Sequence, residues 1–192
     1  MSRHWIAFPC LTLILCAYSF VQAADDEKFV PLFNGENLDG WVQNGGKAEY
    51  TVEDGVIVGT SVPKTPNSFL CTEKKYGDFI LEVEYMVDPL LNSGIQIRSN
   101  VYDEPKTYKT DAGKDKPEAQ KAFKQNEWNK YRIECRGDSI KTWINGVPAA
   151  DLKDDMTSEG FIALQVHGVG GDEKKVGKQI KWRNVKIIEL ED

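Results

Sequence analysis

Short segments in which apolar and polar residues alternate follow one another along most of this chain. The clearest runs from Phe79 to Val87, where every odd position is apolar and Glu82 and Glu84 lie between them. A period of two places successive side chains on opposite sides of an extended strand. Each such segment therefore predicts a strand that buries one face.

Turn-forming residues separate these segments. Glu53-Asp54-Gly55 and Asn145-Gly146 each lie between two strand-like runs, and Asn-Gly is the strongest short hairpin signal. Many short strands joined by tight turns predict an all-β sandwich of two antiparallel sheets. One short helix is expected at 117–124, where Pro117 suits an early helical position. The polar stretch 102–116 is expected to be a loop.

The first 24 residues have a different composition from the rest. An apolar stretch from Trp5 to Val21 is followed by Ala23 and Ala24, and then by three acidic residues. This is the layout of a secretory signal peptide, and a membrane span would need about 20 apolar residues with different flanks. The sequence predicts a signal peptide at 1–24 and one domain at 25–192. That domain would be exported to the periplasm or the medium without a stable membrane anchor.

Charge and cysteine content limit the partners of such a domain. The formal net charge is −6, so the chain has no electrostatic reason to bind nucleic acid or anionic lipid. A neutral partner is expected. Beyond residue 24 only Cys71 and Cys135 remain, and both a disulfide and two separately buried thiols fit their strand-like surroundings. No cysteine or histidine cluster indicates zinc, no other divalent metal is indicated, and no cofactor is predicted.

Two predicted strands carry matching polar residues. Gln96 and Arg98 are two positions apart, as are Gln165 and His167, so each pair would share one strand face at a spacing of about 7 Å. Amide, guanidinium and imidazole groups on one surface would suit the hydroxyls of a sugar. The alternative is that an antiparallel sheet ordinarily shows water a polar outer face.

Other side chains could support such a surface. His167 is the only histidine beyond residue 24 and the only side chain whose ordinary pKa lies near neutrality. Trp143, Trp128 and Trp182 are candidate apolar platforms for a sugar ring. Glycoside cleavage commonly uses two carboxyl groups, and Glu82 and Glu84 are adjacent on one strand face, although a solvated face explains them equally. The Arg-Gly-Asp tripeptide at 136–138 is best explained as a hairpin turn.

Several motifs, in order along the chain from residue 29, resemble the 3-keto-disaccharide hydrolase family. The most specific are the opening LFNGENLDGW at 32–41 and NSGI at 92–95. They are accompanied by VEDGVI at 52–57, YGDF at 76–79 with Glu84, EWN at 127–129, LQVHG at 164–168 and RNV at 183–185.

This resemblance implies a concanavalin A-like jelly-roll sandwich that cleaves glycosides already oxidised at the sugar 3-position. The 3-keto group acidifies the neighbouring C2 proton, so that a base can remove it and expel the anomeric substituent. By matching position, the resemblance implies a cleft with catalytic roles for Arg98, as an oxyanion clamp, for His167, as an acid/base, and for Glu84, as a secondary candidate. The substrate-binding residues would be Gln96, Gln165, Asn92 and Trp143.

The chain departs from the family pattern after the NSGI segment. The family usually continues with a strand that resembles GYEVQID, whereas this chain has the polar stretch and then the helix. The loss of that strand would remove carboxyl groups from the cleft. The interpretations that remain are an enzyme acting on 3-keto-glycosides, a non-catalytic carbohydrate-binding module of the same fold, and an adhesion or scaffold domain.

Overall fold

The computed structural model describes residues 28–99 and 116–191. The predicted signal peptide at 1–24 and all but the last residue of the predicted loop at 102–116 lie outside these residues. The described part of the chain contains twelve strands and one helix: β1 Val30–Pro31, β2 Trp41–Gly45, β3 Glu49–Glu53, β4 Val56–Thr60, β5 Ser68–Thr72, β6 Phe79–Val87, β7 Ser93–Ser99, α1 Pro117–Ala122, β8 Asn129–Arg136, β9 Ser139–Ile144, β10 Val147–Lys153, β11 Phe161–Val166 and β12 Gln179–Glu189.

The strands form two antiparallel sheets. Sheet A has the order β10-β9-β8-β6-β12-β4-β3, and β1 pairs with β12 as an additional strand. Sheet B has the order β2-β5-β11-β7. The predicted all-β sandwich with one short helix is confirmed. Among the described residues, no helix is long and apolar enough to cross a membrane.

The hydrophobic core lies between the two sheets. Phe79, Leu81 and Val83 of β6 are at most 1% exposed, and they belong to the same cluster as Ile162 and Leu164 of β11. These are the alternate positions that the period of two assigned to the buried face. The intervening side chains of each strand consequently point away from the core, to the outer face of their sheet.

Backbone geometry at the turns agrees with the residues found there. Asp54 and Gly55 have φ values of 49° and 77°, and Asn145 and Gly146 have values of 50° and 82°. Two consecutive residues with positive φ define the hairpin turn that Asp-Gly and Asn-Gly favour. The Arg-Gly-Asp tripeptide likewise spans the turn between β8 and β9, so its prediction as a turn is confirmed.

Close packing around Trp182 joins the two sheets. The Trp182 side chain is 1% exposed and stacks on Tyr50, with 6.2 Å between the ring centroids. The Tyr50 hydroxyl lies 3.0 Å from the carbonyl oxygens of Ser68 and Leu164 in sheet B, and it can donate its one proton to either. A Cβ on Gly59 would approach Val166 Cγ2 to 2.6 Å, so this position has no space for a side chain.

The two cysteines are free and buried in different places. Cys135 lies in the core between the sheets, where burial raises the pKa of its thiol to about 12. Cys71 packs on the opposite side of sheet B, with Phe69 and Ala163. Of the two arrangements that the sequence allowed, the structure has the separately buried thiols.

We predict that Gly59→Ala lowers the free energy of unfolding by about 1–3 kcal/mol, because the added methyl group overpacks the contact between Val166 and Trp182. Urea unfolding followed by tryptophan fluorescence measures the change. Gly171→Ala is the matched control, since a Cβ there would meet nothing within 4 Å. Equal stability of the two variants would contradict the tight inter-sheet contact.

Candidate functional site

The candidate site begins with the pairing of β7 and β11 in sheet B. Ala163 lies opposite Gln96, and Gln165 lies opposite Gly94. Directly opposite residues of an antiparallel pair point to the same side of the sheet. Because Leu164 and Ile162 of β11 face the core, Gln96 and Gln165 both point to the outer face of sheet B.

The two glutamine amides are therefore neighbours, as the sequence predicted. They are diagonal partners across the strand pair, which places their Cβ atoms about 7 Å apart. A Cβ on Gly94 would lie 3.2 Å from Gln165 Oε1, so the Gln165 amide lies over Gly94 of β7. The absence of a side chain at position 94 leaves space for this contact.

The Gln96 side chain presents an unsatisfied donor. Its Nε2 atom is buried and has no hydrogen-bond partner within the described part of the chain. Most buried polar side-chain atoms have such a partner, and leaving one without it costs free energy. An acceptor oxygen of a bound molecule would satisfy one of the two N–H groups of this amide.

His167 follows β11 directly, at the end of the strand pair opposite to Arg98. Its side chain is exposed, and Nδ1 lies 2.9 Å from the carbonyl oxygen of Gly168. A carbonyl can only accept, so this bond requires the proton on Nδ1 and leaves the lone pair on Nε2. The Gly168 amide in turn donates to Asn67 Oδ1 at 2.8 Å, which fixes the loop that carries the imidazole.

Asn92 also lies at this end of sheet B. It is exposed and precedes Ser93, the residue paired with Val166. Asn92 lies one position beyond the Ser93–Val166 pair on the β7 side, and His167 lies one position beyond it on the β11 side. The sheet therefore brings together four of the predicted polar residues, Asn92, Gln96, Gln165 and His167.

Arg98 does not share the face of Gln96, and that expectation is wrong. The pairing of β7 with β11 shifts register between Phe161 and Ala163, and Arg98 adopts a φ of 49°. Such a β-bulge adds a residue to one strand and redirects the side chains beside it. Arg98 is consequently 4% exposed instead of facing outward.

Buried contacts account for the whole Arg98 guanidinium. Nε donates to the carbonyl oxygen of Gly77 at 2.9 Å, Nη1 to that of Gly137 at 2.6 Å, and Nη2 to Asp78 Oδ1 at 2.8 Å. Arg98 and His167 flank opposite ends of β11, about 20 Å apart at the usual rise per residue. The oxyanion clamp predicted at Arg98 is not part of the polar group around His167.

Glu84 lies on the other side of the molecule. Glu82 and Glu84 alternate with core residues of β6, so both point to the outer face of sheet A, and the prediction that they share a face is confirmed. Burial opposes ionisation of Glu84, but hydrogen bonds from Asn184 and Arg183 outweigh it, and the pKa of Glu84 is lowered. A carboxyl held ionised and facing away from sheet B cannot serve there as a general acid.

The three predicted aromatic platforms also lie on sheet A. Trp182 belongs to the core and is closed to any ligand. Trp143 pairs with Arg132, and Arg132 pairs in turn with the outward-facing Glu82. Trp143 therefore also faces outward from sheet A. The Trp128 ring stacks on the Arg183 guanidinium at 4.0 Å. None of the three lies on the outer face of sheet B.

Sequence reasoning missed the apolar part of that face. Phe69, Cys71 and Ala163 form a separate buried cluster there, with Phe161 packed against it. The sequence signal was the apolar run Phe69-Leu70-Cys71 in β5, a strand whose five residues are all buried. A short continuous apolar run is typical of a strand covered on both faces, whereas strict alternation is typical of one with a solvated face.

The arrangement on sheet B combines amide donors and one imidazole with a cluster of buried apolar side chains. Among residues 28–99 and 116–191, no three His, Cys, Asp or Glu side chains come together as a metal site. None of the four strands of sheet B contains Asp or Glu. The face can therefore bind hydroxyl and carbonyl oxygens, and among the described residues its exposed acid/base group is His167.

Solved structures with a similar fold belong to carbohydrate-related proteins. A proposed glycosyl hydrolase from Parabacteroides distasonis is 21% identical, with a TM-score of 0.58 over 86% of this chain and 95% of that one. The carbohydrate-binding module CBM66 from Bacillus subtilis is 17% identical, with a TM-score of 0.51 over 78% and 96%. At these identities the likeness establishes the jelly-roll fold. No curated protein matches this chain in sequence.

A family model covers nearly all of the described residues. The model of the 3-keto-alpha-glucoside-1,2-lyase-like domain matches residues 28–188. It includes every motif on which the resemblance rested, from the LFNG segment to the RNV segment.

We predict that Arg98→Ala lowers the free energy of unfolding by about 2–4 kcal/mol, because it leaves Asp78 and two backbone carbonyls without their buried donor. Chemical denaturation measures the loss. Lys74→Ala removes one partner of the exposed pair with Glu189 and should change stability by less than about 1 kcal/mol. A stable Arg98→Ala protein with impaired turnover would instead restore the catalytic role.

Proposed function

Because this chain belongs to the family of the 3-keto-alpha-glucoside-1,2-lyase-like domain, we propose that the outer face of sheet B cleaves 3-keto-glycosides. The substrate would be a disaccharide or glycoside whose non-reducing sugar carries a ketone at C3. Sheet B supplies the site, because four of the polar residues predicted for substrate or catalysis lie together there.

The observation that carries this proposal is the buried, unpartnered amide of Gln96 beside Gln165. An amide N–H that already lacks water gains a full hydrogen bond when an oxygen of the substrate arrives. The donor would also strengthen its interaction as negative charge develops on that oxygen. The ketone oxygen at C3, which becomes an enolate oxygen, is the acceptor of this kind in the proposed substrate.

His167 is the proposed base. Donation from Nδ1 to Gly168 leaves Nε2 able to take the proton from C2 of the sugar. The C–H electron pair then forms the C2–C3 double bond of an enolate, and negative charge develops on the C3 oxygen. When that oxygen becomes a ketone again, the electron pair forms the C1–C2 double bond, the bond from C1 to the leaving oxygen breaks, and the leaving oxygen takes the proton from the imidazolium. Addition of water across the double bond completes hydrolysis. Gln165 and Asn92 would hold the sugar hydroxyls during these steps.

A non-catalytic carbohydrate-binding module is the second candidate. The absence of Asp and Glu from the strands of sheet B favours it, since most glycoside hydrolases use a pair of carboxyl groups. Amides beside apolar residues would still bind a sugar. The two functions differ in one measurable respect, which is whether the glycosidic bond breaks.

We predict that the purified protein releases 4-nitrophenol from 4-nitrophenyl 3-keto-glucoside. His167→Ala should slow this release by about 10²–10⁴-fold, as expected for the loss of a general base. Gln96→Leu should slow the release by about 10²–10³-fold, as expected for the loss of an oxyanion donor. The substitution should not remove a hydrogen bond from the folded protein, because Gln96 Nε2 has no partner among the described residues. A substrate deuterated at C2 should react more slowly if removal of that proton limits the rate.

Gln125→Leu makes the same replacement in the exposed loop after α1 and should leave turnover unchanged. Sugar binding by calorimetry without release of 4-nitrophenol would favour the binding module. Full turnover in both His167→Ala and Gln96→Leu would show that the reaction takes place elsewhere on the protein.

We also propose that the domain acts outside the cytoplasm, as the composition of residues 1–24 suggests. When the full-length chain is expressed in a bacterial host, the mature protein should begin at Ala24 or Asp25 and appear in the periplasm or medium. N-terminal sequencing of the purified protein measures this. A protein that retains Met1 and stays in the cytosolic fraction would refute the export proposal.

A further inference from the structure

Several of the family motifs converge on a cleft that the proposed reaction does not use. This sheet A cleft, of about 370 Å³, lies on the outer face of sheet A, and its lining includes Phe33, Asn34, Gly55, Glu84, Lys130 and Lys186. The LFNG, EDG and RNV segments each contribute to it. Its volume is within the range of roughly 300–1,000 Å³ that is usual for small-molecule sites.

Glu82 lies in the cleft among three cations. Its carboxylate is 2.8 Å from Lys130 Nζ, 3.2 Å from Arg132 Nη1 and 3.2 Å from Lys186 Nζ. The Glu82 side chain is 8% exposed, whereas those of Lys130 and Lys186 are 52% and 39% exposed. The carboxylate is therefore enclosed and compensated, and the two ammonium groups remain open to the cleft.

Glu84 is compensated by hydrogen bonds from Arg183 and Asn184, with a smaller electrostatic contribution from Lys130. Its Oε2 accepts from Arg183 Nε at 2.7 Å, and its Oε1 accepts from the Asn184 amide at 2.9 Å. Lys130, Lys186 and Arg183 thus lie beside two carboxylates. On a chain whose formal net charge is −6, these three cations give a local positive excess.

Aromatic rings at the rim hold two of these cations in place. Lys186 Nζ lies 4.3 Å from the Phe29 ring centroid, and the Arg183 guanidinium lies 4.0 Å from that of Trp128. Such cation–π contacts limit the motion of otherwise long and flexible side chains. They favour a pre-arranged pair of charges over freely solvated ones.

We infer that the sheet A cleft binds an acidic saccharide, with the carboxylate of a sugar acid at the ammonium groups of Lys130 and Lys186. Each ammonium has three N–H donors, so its pairing with Glu82 leaves donors for a second anion. Asn34, at the cleft wall, is exposed, and its amide donates one N–H to Asn37 Oδ1 at 2.7 Å, which leaves the second N–H for a hydroxyl. The choice of a saccharide rests on the proposed function, whereas the choice of an anion rests on the cleft alone.

The expectation of a neutral partner came from the net charge of the whole chain. Charges separated by more than about 10 Å are largely screened at physiological salt. A local excess of cations can therefore attract an acidic sugar even though the domain as a whole is acidic. The sheet A cleft would give the protein a second binding surface, on the side of the sandwich away from His167.

The test uses the full chain and three probes, which are trigalacturonate, its methyl ester and inorganic sulfate. Calorimetry at low salt should show the acid binding at least about tenfold more tightly than the ester, because hydrogen bonds between charged partners are the strong ones. Lys130→Gln and Lys186→Gln should each weaken binding of the acid by about tenfold. Lys153 pairs with Asp138 and lies outside the cleft. The Lys153→Gln protein should therefore bind trigalacturonate as tightly as the native protein does.

Amide NMR of the native protein locates the site without any substitution. Trigalacturonate should shift the resonances of Gly35 and Asn184, which line the cleft, more than that of Gln165. Equal binding of acid and ester, binding of sulfate as tight as that of the acid, no binding of the acid, or shifts confined to sheet B would each overturn the inference. Turnover of the 3-keto-glucoside is measured separately, so failure there leaves this result unaffected.

Discussion

The contact between Trp182, Gly59 and Val166 sets the relation between the two sheets. Trp182 fills the space over Gly59, and Val166 of sheet B packs against both. Once Val166 points inward, the alternation of β11 obliges Gln165 and His167 to point outward. The Tyr50 hydroxyl adds a hydrogen bond between the side chain of one sheet and the backbone of the other. The chemistry on the outer face of sheet B therefore depends on a purely apolar contact in the core.

The two outer faces use polar residues in different ways. On sheet A, Glu82 and Glu84 are each paired with cations. Burial opposes ionisation of Glu82, but hydrogen bonds from Lys130 and Lys186 outweigh it, so the pKa of Glu82 is lowered. Sheet B has uncharged amides beside apolar side chains and leaves one amide nitrogen buried without a partner among the described residues. Ion pairs between neighbouring strands hold each charged group in position. An unsatisfied buried amide instead favours the binding of a ligand that can accept its hydrogen bond. The first arrangement suits an anion and the second suits the oxygens of an uncharged sugar.

The ion pair of Arg98 with Asp78 shows how a polar residue changes role with one backbone shift. In an unbroken strand Arg98 would stand two places from Gln96, on the same face. The bulge turns it inward, where it joins the end of β7 to the turn between β8 and β9 through Gly137. A buried guanidinium with each of its three nitrogens hydrogen-bonded is a structural element of the sandwich. With Arg98 buried, His167 is the proposed acid/base group of sheet B.

The sequence by itself determined the strands, the hairpin turns and the side of each strand that is buried. These follow from local rules, namely the period of two and the positive φ of Asp54-Gly55 and Asn145-Gly146. That Gln165 and His167 point to the same side of the chain was predictable for the same reason. Only the tertiary structure decided which sheet each strand joined, and so placed Glu84 and Trp143 opposite to His167. It also decided the bulge at Arg98, because register and sheet order arise from packing between residues far apart in the chain, which no local pattern records.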